Sequence, residues 1–162
     1  MLIGNSSSCF IVASAPLQYF NTPQIWDCMT PKEVVQKNYE CFSTGDMVTF
    51  RTLYAENAVV KVNGIHKLSG TYHGPDNWMG VLSQMPNLFD EFKIDVVSII
   101  AEGNHVFAML NATAMGSGKM TADFGHFYRI ENGKIADSLI PDSELTVLLK
   151  ENHFCLDTSK DQ

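Results

Sequence analysis

The sequence is short of most features that would announce a function. Its four cysteines, Cys9, Cys28, Cys41 and Cys155, are spread along 162 residues with no CxxC pair. That spacing encodes neither a zinc knuckle nor a dithiol redox centre, and the density is too low for a disulfide-stapled fold. Eleven Lys and Arg stand against eighteen Asp and Glu, for a net charge of -7. The cations are scattered, so the basic stripe of a nucleic-acid binder is missing and no nucleic-acid partner is expected. No apolar run approaches the ~18 residues that cross a bilayer, and no membrane partner is expected. There is no Walker loop, GxGxxG, GxSxG or EF-hand loop, and "MGSGK" lies between strands rather than ahead of a helix. Nucleotide and flavin cofactors therefore have no support. None of the histidine pairs has the helical i, i+4 spacing that metal sites favour, so no metal is expected either.

What is present is the balance of one soluble globular domain: 45% hydrophobic residues, 10% aromatic, and eight Met. The aromatics and Met suit a roomy apolar interior. Residues 1–29 read as an N-terminal extension. The stretch "CFIVASAP" resembles a signal-peptide core, but no Lys or Arg precedes Lys32. Without a basic n-region the expectation is a cytoplasmic protein. The domain is expected over 30–150, followed by a polar tail over 151–162.

Thr30-Pro31-Lys32-Glu33 is a capping box with Pro at the first helical position. Val35, Tyr39 and Phe42, widened by Val34 and Cys41, form the stripe of a helix that Gly45 stops. Asp46 caps a second short helix carrying Phe50 and Tyr54. Ala58–Val62 and the glycine-bounded "GIHKLSGTYHG" read as short strands. Gly74-Pro75-Asp76 opens a third helix through Trp78 and Met85, expected to end at Pro86. From Phe92 the texture is long strands: Phe92–Ala101, His105–Met115, Met120–Ile130 and Lys134–Ile140, with Asn132-Gly133 as a strong hairpin turn. A last short helix is expected over Ser143–Lys150. The class is α+β: a curved antiparallel sheet with three helices packed on its concave face.

Turn lengths set a trial register. A four-residue turn at 116–119 places His126 opposite Met109, and a tight 132–133 turn places His126 opposite Leu139 and Tyr128 opposite Asp137. One face then collects Met109, Asn111, Phe124, His126, Tyr128, Asp137 and Leu139. His126 is the sharpest candidate. A diagonal Asp137 within reach would orient the imidazole and raise its basicity, as proton abstraction or water activation requires. The alternative is a core histidine satisfied by Asp137, Tyr128 or water. The reverse face, rich in alanine and mostly apolar, suits sheet-to-sheet packing in a homodimer.

The strings "VVQKNYECFSTGDMVTFRTLYAENAVVKV", "LSGTYHGPDNWMGVL", "VSIIAEGNHVFAML" and "FGHFYRIENGKIADSLIPDSELTVLL" resemble the SnoaL-like branch of the nuclear transport factor 2-like superfamily. The resemblance covers residues ~31–150. It implies a cystatin-like cone, shared by polyketide cyclases, ketosteroid isomerase, epoxide hydrolases and non-catalytic domains. By that resemblance Val62 stands where the isomerase has its catalytic Asp. His126, three residues before Arg129, stands at its oxyanion-hole Asp, and Asn38 at its helix-borne Tyr. The last-strand acid-base Asp of the cyclases corresponds to Asp137 or Asp142. Arg129 and Arg51 are the central arginines available for an Asp-Arg-Asp network of the hydrolase kind.

Two functions follow as expectations. One is a metal-free acid-base enzyme (cyclase, isomerase or hydrolase) acting on a small apolar or polyketide-like molecule. In it His126 is the base or proton shuttle, Asp137 its orienter, and Tyr39, Tyr54 and Tyr128 hydrogen-bond donors. Phe50, Trp78, Met85, Met109, Asn111, Phe124 and Leu139 line the pocket. The other is a non-catalytic ligand-binding or dimeric interaction domain of the same fold.

Overall fold

The computed structural model describes residues 29–116 and 119–142. All but Met29 of the expected 1–29 extension, the 143–150 helix and the tail lie outside the described residues. Helix α1 (Pro31–Thr44) begins as its sequence dictates. The Thr30 hydroxyl accepts from the Glu33 N–H at 3.3 Å, and the Glu33 carboxylate accepts from the Thr30 N–H at 2.7 Å. Each partner satisfies a donor that the first helical turn leaves open. Gly45 closes the helix in the left-handed region, at φ 73°. Asp46 then caps α2 (Met47–Thr52), accepting from the Thr49 N–H at 3.0 Å.

Strands β1 (Tyr54–Val62) and β2 (Gly70–His73) follow, then α3 (Pro75–Leu82) and α4 (Met85–Leu88). The expected single helix through Met85 is thus two. Pro86 does not end a helix but sits in the first turn of α4, where its missing N–H costs nothing. The long strands β3 (Glu91–Glu102), β4 (His105–Met115), β5 (Lys119–Glu131) and β6 (Lys134–Ile140) complete a six-stranded sheet in the order β2-β1-β6-β5-β4-β3. The α+β class and the helix-covered curved sheet are as expected. The sheet is not wholly antiparallel, because β1 and β6 run parallel. Among the described residues no helix is long and apolar enough to cross a membrane.

The register decides what the helices cover. The outer half of the β3–β4 hairpin pairs as expected, with Ser98 opposite Met109. Between β4 and β5, however, Met115 pairs with Lys119, so three residues rather than four make the turn. His126 then lies opposite Ala108, not Met109. A one-residue slip moves an entire strand's side chains to the other face. The inward residues of β4 are Val106, Ala108, Leu110, Ala112 and Ala114, each buried, while Met109 is half exposed. The alanines expected on the reverse face therefore line the concave side, where their small size leaves space beneath α1.

A second irregularity lies in β6. Ile130 pairs with Ile135 but Arg129 pairs with Asp137, so Ala136 is an extra residue. Beyond this bulge Tyr128 faces Ser138, and Phe127 faces Leu139. Asp137 and Leu139 are thereby turned to the convex side. A third irregularity falls at Val97 in β3, between the Val96 and Ser98 pairings.

Candidate functional site

The concave side of the sheet, α1, α2 and α3 together enclose a cavity of about 80 Å³. Of the residues expected to line it, Tyr39, Phe50, Tyr54, Trp78, Met85, Phe124, His126 and Tyr128 do so. Met109, Asn111, Leu139 and Asp137 do not. The short 116–118 turn puts Met109 and Asn111 on the convex face, where the Asn111 amide donates to Asp123 at 2.7 Å. The β6 bulge sends Leu139 and Asp137 the same way. There the Asp137 carboxylate accepts from the Arg129 guanidinium, which also pairs with Glu131. Arg51 holds Asp76 at 2.7 Å and Glu56 at 3.1 Å, but on the exposed surface beside α3. Neither arginine network reaches the cavity, and Asp142 is exposed.

Among the lining residues not named in the expected pocket are Asn38, Leu110 and Ile94. Asn38 was visible in principle: it follows Val34 by four residues, on a stripe that continues to Cys41. A polar residue on that buried stripe is the signal, and Asn38 is 3% exposed. Leu110 depended on strand parity, which the β4–β5 register set, whereas Ile94 lies on the face the trial register gave it.

At the closed end of the cavity three aromatic groups share a hydrogen-bonded triangle. The Tyr128 hydroxyl donates to the Tyr39 hydroxyl at 2.6 Å. His126 Nδ1 lies 3.0 Å from the Tyr39 hydroxyl and 2.8 Å from that of Tyr128. The Asn38 amide donates to the Tyr128 oxygen at 3.4 Å. The His126 ring lies tilted over Tyr128, with centroids 4.0 Å apart. The packing has a local cause. Residues 126 and 128 share one face of β5, and Tyr39 descends onto them from α1, edge-on to both rings.

The electrostatics reverse the expected role of His126. No Asp or Glu lines the cavity among the described residues. With no carboxylate to favour the cation, burial alone acts, and the imidazole pKa is pushed down to about 3. The ring is neutral at ordinary pH and is a poor base. Burial likewise drives the Tyr39 and Tyr128 phenols well above their usual range, so both remain protonated. Tyr54, also fully buried, is raised by burial too.

In the tautomer whose Nδ1 is unprotonated, Tyr128 donates to Tyr39 and the Tyr39 hydroxyl donates to Nδ1. A neutral imidazole that accepts at Nδ1 carries its own hydrogen on Nε2. That atom is buried and has no hydrogen-bond partner among the described residues. A desolvated donor left unmade is costly, of order 1–3 kcal/mol, and marks a place where a ligand atom would be stabilised.

Comparison with known proteins sets this geometry in a family. The model of the SnoaL-like domain matches residues 35–138. TerC, solved with polyporic acid, is similar with a TM-score of 0.69 and 16% identity over 76% of this chain and 99% of that one. An NTF2-like protein of unknown function from Burkholderia pseudomallei is similar at 0.67 and 21%, covering 75% and 98%. A loop-truncation variant of IdmH is similar at 0.65 and 25%, covering 74% and 97%. No curated protein matches the chain. Since the matched segment runs from α1 into β6, the chain belongs to the SnoaL-like domain family, and the same fold recurs in those structures.

Proposed function

We propose that the protein binds a small, largely apolar molecule in the cavity between the helices and the concave face of the sheet. The observation that carries this reading is a hollow walled mainly by aromatic and aliphatic side chains, three of whose lining residues hold a buried polar atom without a hydrogen-bond partner among the described residues: Asn38 Oδ1, Trp78 Nε1 and His126 Nε2. Such a pocket holds its ligand by shape and apolar contact and orients it through one polar end. TerC, whose fold is similar, was co-crystallised with polyporic acid, which suits this reading.

Metal-free acid-base chemistry on the bound molecule (cyclisation, isomerisation or hydrolysis) would run through His126 as a hydrogen-bond donor, with Tyr39 and Tyr128 holding its ring. The second reading is a binding domain without turnover. The lack of a carboxylate among the described residues lining the cavity favours it, because proton abstraction needs a base within reach. In both readings we propose that a second copy of the chain covers the convex face of the sheet.

Native mass spectrometry of the purified protein tests the binding reading. We expect a retained small molecule, lost when Leu110→Phe fills the cavity. Protein without any retained mass, and without thermal stabilisation by small cyclic probes such as cyclohexanone, would sink the idea.

A further inference from the structure

We propose that the segment 63–69, between β1 and β2, is a hinged strap whose opening admits the ligand to the cavity. The inference rests on the binding reading and adds the route by which the site is filled. Among the described residues that line the cavity, Leu68 is the one carried by neither a helix nor a strand. It is 7% exposed, whereas Ile65 on the same strap is 78% exposed. The strap thus buries one apolar side chain in the cavity wall, as a plug, and leaves another in water.

The end of the cavity that the strap crosses is otherwise built of sheet. Val62 and Ile140, the last residues of β1 and β6, pair with each other and both line it. Moving either would break ladder hydrogen bonds. Residues 64–69 lie outside the ladder. Val62 pairs with Gly70 across the base of the strap, so its ends stay together whatever the residues between them do. Gly64, at φ 117°, supplies a hinge in a region where other residues are strained.

Side chains hold the plug in place. The Leu68 N–H donates to His66 Nδ1 at 3.2 Å, and the Leu68 carbonyl accepts from the Tyr72 hydroxyl at 2.8 Å. Side-chain partners can release these groups without disturbing the sheet. The His66 N–H donates to Ser69 Oγ at 3.1 Å, and the Ser69 N–H donates to the His66 carbonyl at 3.0 Å, so the strap moves as one piece. Tyr72 packs its ring against Trp78, itself in the cavity wall, with centroids 5.9 Å apart. Neither His66 nor Tyr72 lines the cavity, and both are positioning residues that act through Leu68.

The test follows fluorobenzene by fluorine-19 NMR, which gives its dissociation constant and its rates of entry and exit. Tyr72→Phe keeps the ring on Trp78 but removes the hydroxyl, and His66→Ala removes the Nδ1 acceptor. Each weakens the closed strap equally in the empty and the filled protein. Entry and exit should therefore both quicken about fivefold, with the dissociation constant unchanged. His66→Asn should restore the wild-type rates, because a side-chain oxygen there accepts the N–H two residues on. The wild type needs no variant: relaxation dispersion should find the amides of residues 64–69 exchanging together.

Unchanged rates in both variants, a weaker dissociation constant with entry unaltered, His66→Asn as fast as His66→Ala, or a wild-type strap without exchange would overturn the inference. Each would leave the cavity as a binding site filled by another route. A wild-type chain that binds neither fluorobenzene nor cyclohexanone would overturn the binding reading itself, and the inference with it.

Discussion

His126 ties the chemistry of the site to the stability of the chain. The folded protein holds it neutral down to about pH 3, whereas the unfolded imidazole takes up a proton near its ordinary value of 6.5. Between those limits the unfolded state binds the extra proton, so stability rises with pH. The contribution is complete above about pH 6.5 and is lost as pH falls, at up to about 1.4 kcal/mol per unit. Urea denaturation at pH 7 and pH 5 should show ~2 kcal/mol less stability at the lower pH. His126→Gln should remove that difference while lowering stability at both. The window avoids the carboxylates of Glu33, Asp46 and Asp76, which hydrogen bonds hold below the usual range, so their protonation acts at lower pH. Parallel losses in the two proteins would show that His126 is not the group responsible. The residue was singled out from its strand neighbours alone. Its expected basicity failed because that depended on Asp137, and Asp137 depended on register.

Helix boundaries at the start of the chain were legible because they are written in chemistry local to a few residues. The Thr30–Glu33 box, Gly45 and Asp46 each do what their side chains dictate. The same holds for the Gly103-Asn104 and Asn132-Gly133 turns. The bulges at Val97 and Ala136 left no such mark, since both are apolar residues in apolar strands and pass as ordinary ladder positions. The turn at 116–118 failed for a related reason: a glycine-rich loop accepts three residues as readily as four. These small uncertainties moved Met109, Asn111, Asp137 and Leu139 out of the site together, because side-chain facing alternates residue by residue.

The corrected register makes a prediction of its own. Gly125 lies on the convex face under the Phe107 ring, and a Cβ added there would stand 2.6 Å from a ring carbon. Phe107 in turn packs against Phe127, with centroids 4.7 Å apart. Gly125→Ala should therefore destabilise the protein by roughly 1–3 kcal/mol through overpacking. Combining it with Phe107→Leu should cost less than the sum of the two single changes, as denaturant midpoints will show. Strict additivity would mean that the ring does not cover the glycine.

The molecule presents an apolar convex face that the described helices do not cover. Ile100 is 64% exposed, and Met109 and Phe127 are each 48% exposed. This surface differs from the alanine-rich one read from the sequence, being larger in its side chains and more aromatic, yet it suits the same partner, a second copy. Sedimentation at micromolar concentration should give a dimer for the wild type. Ile100→Glu combined with Phe127→Glu should give a monomer with unchanged circular dichroism. A monomeric wild type would dismiss the proposed contact.

The placement of β6 between β1 and β5 carries a consequence for biosynthesis. Of the six strands it is the last to leave the ribosome, yet it is the seam joining the β1–β2 hairpin to the β3–β5 meander. Until it emerges, both flanks of that gap carry unpaired backbone groups that no earlier segment can satisfy. The nascent chain therefore holds two half-sheets with open margins, and Lys134–Ile140 acts as the latch whose arrival completes them. A chain released with its end just short of Lys134 should expose those margins and aggregate where the full chain does not.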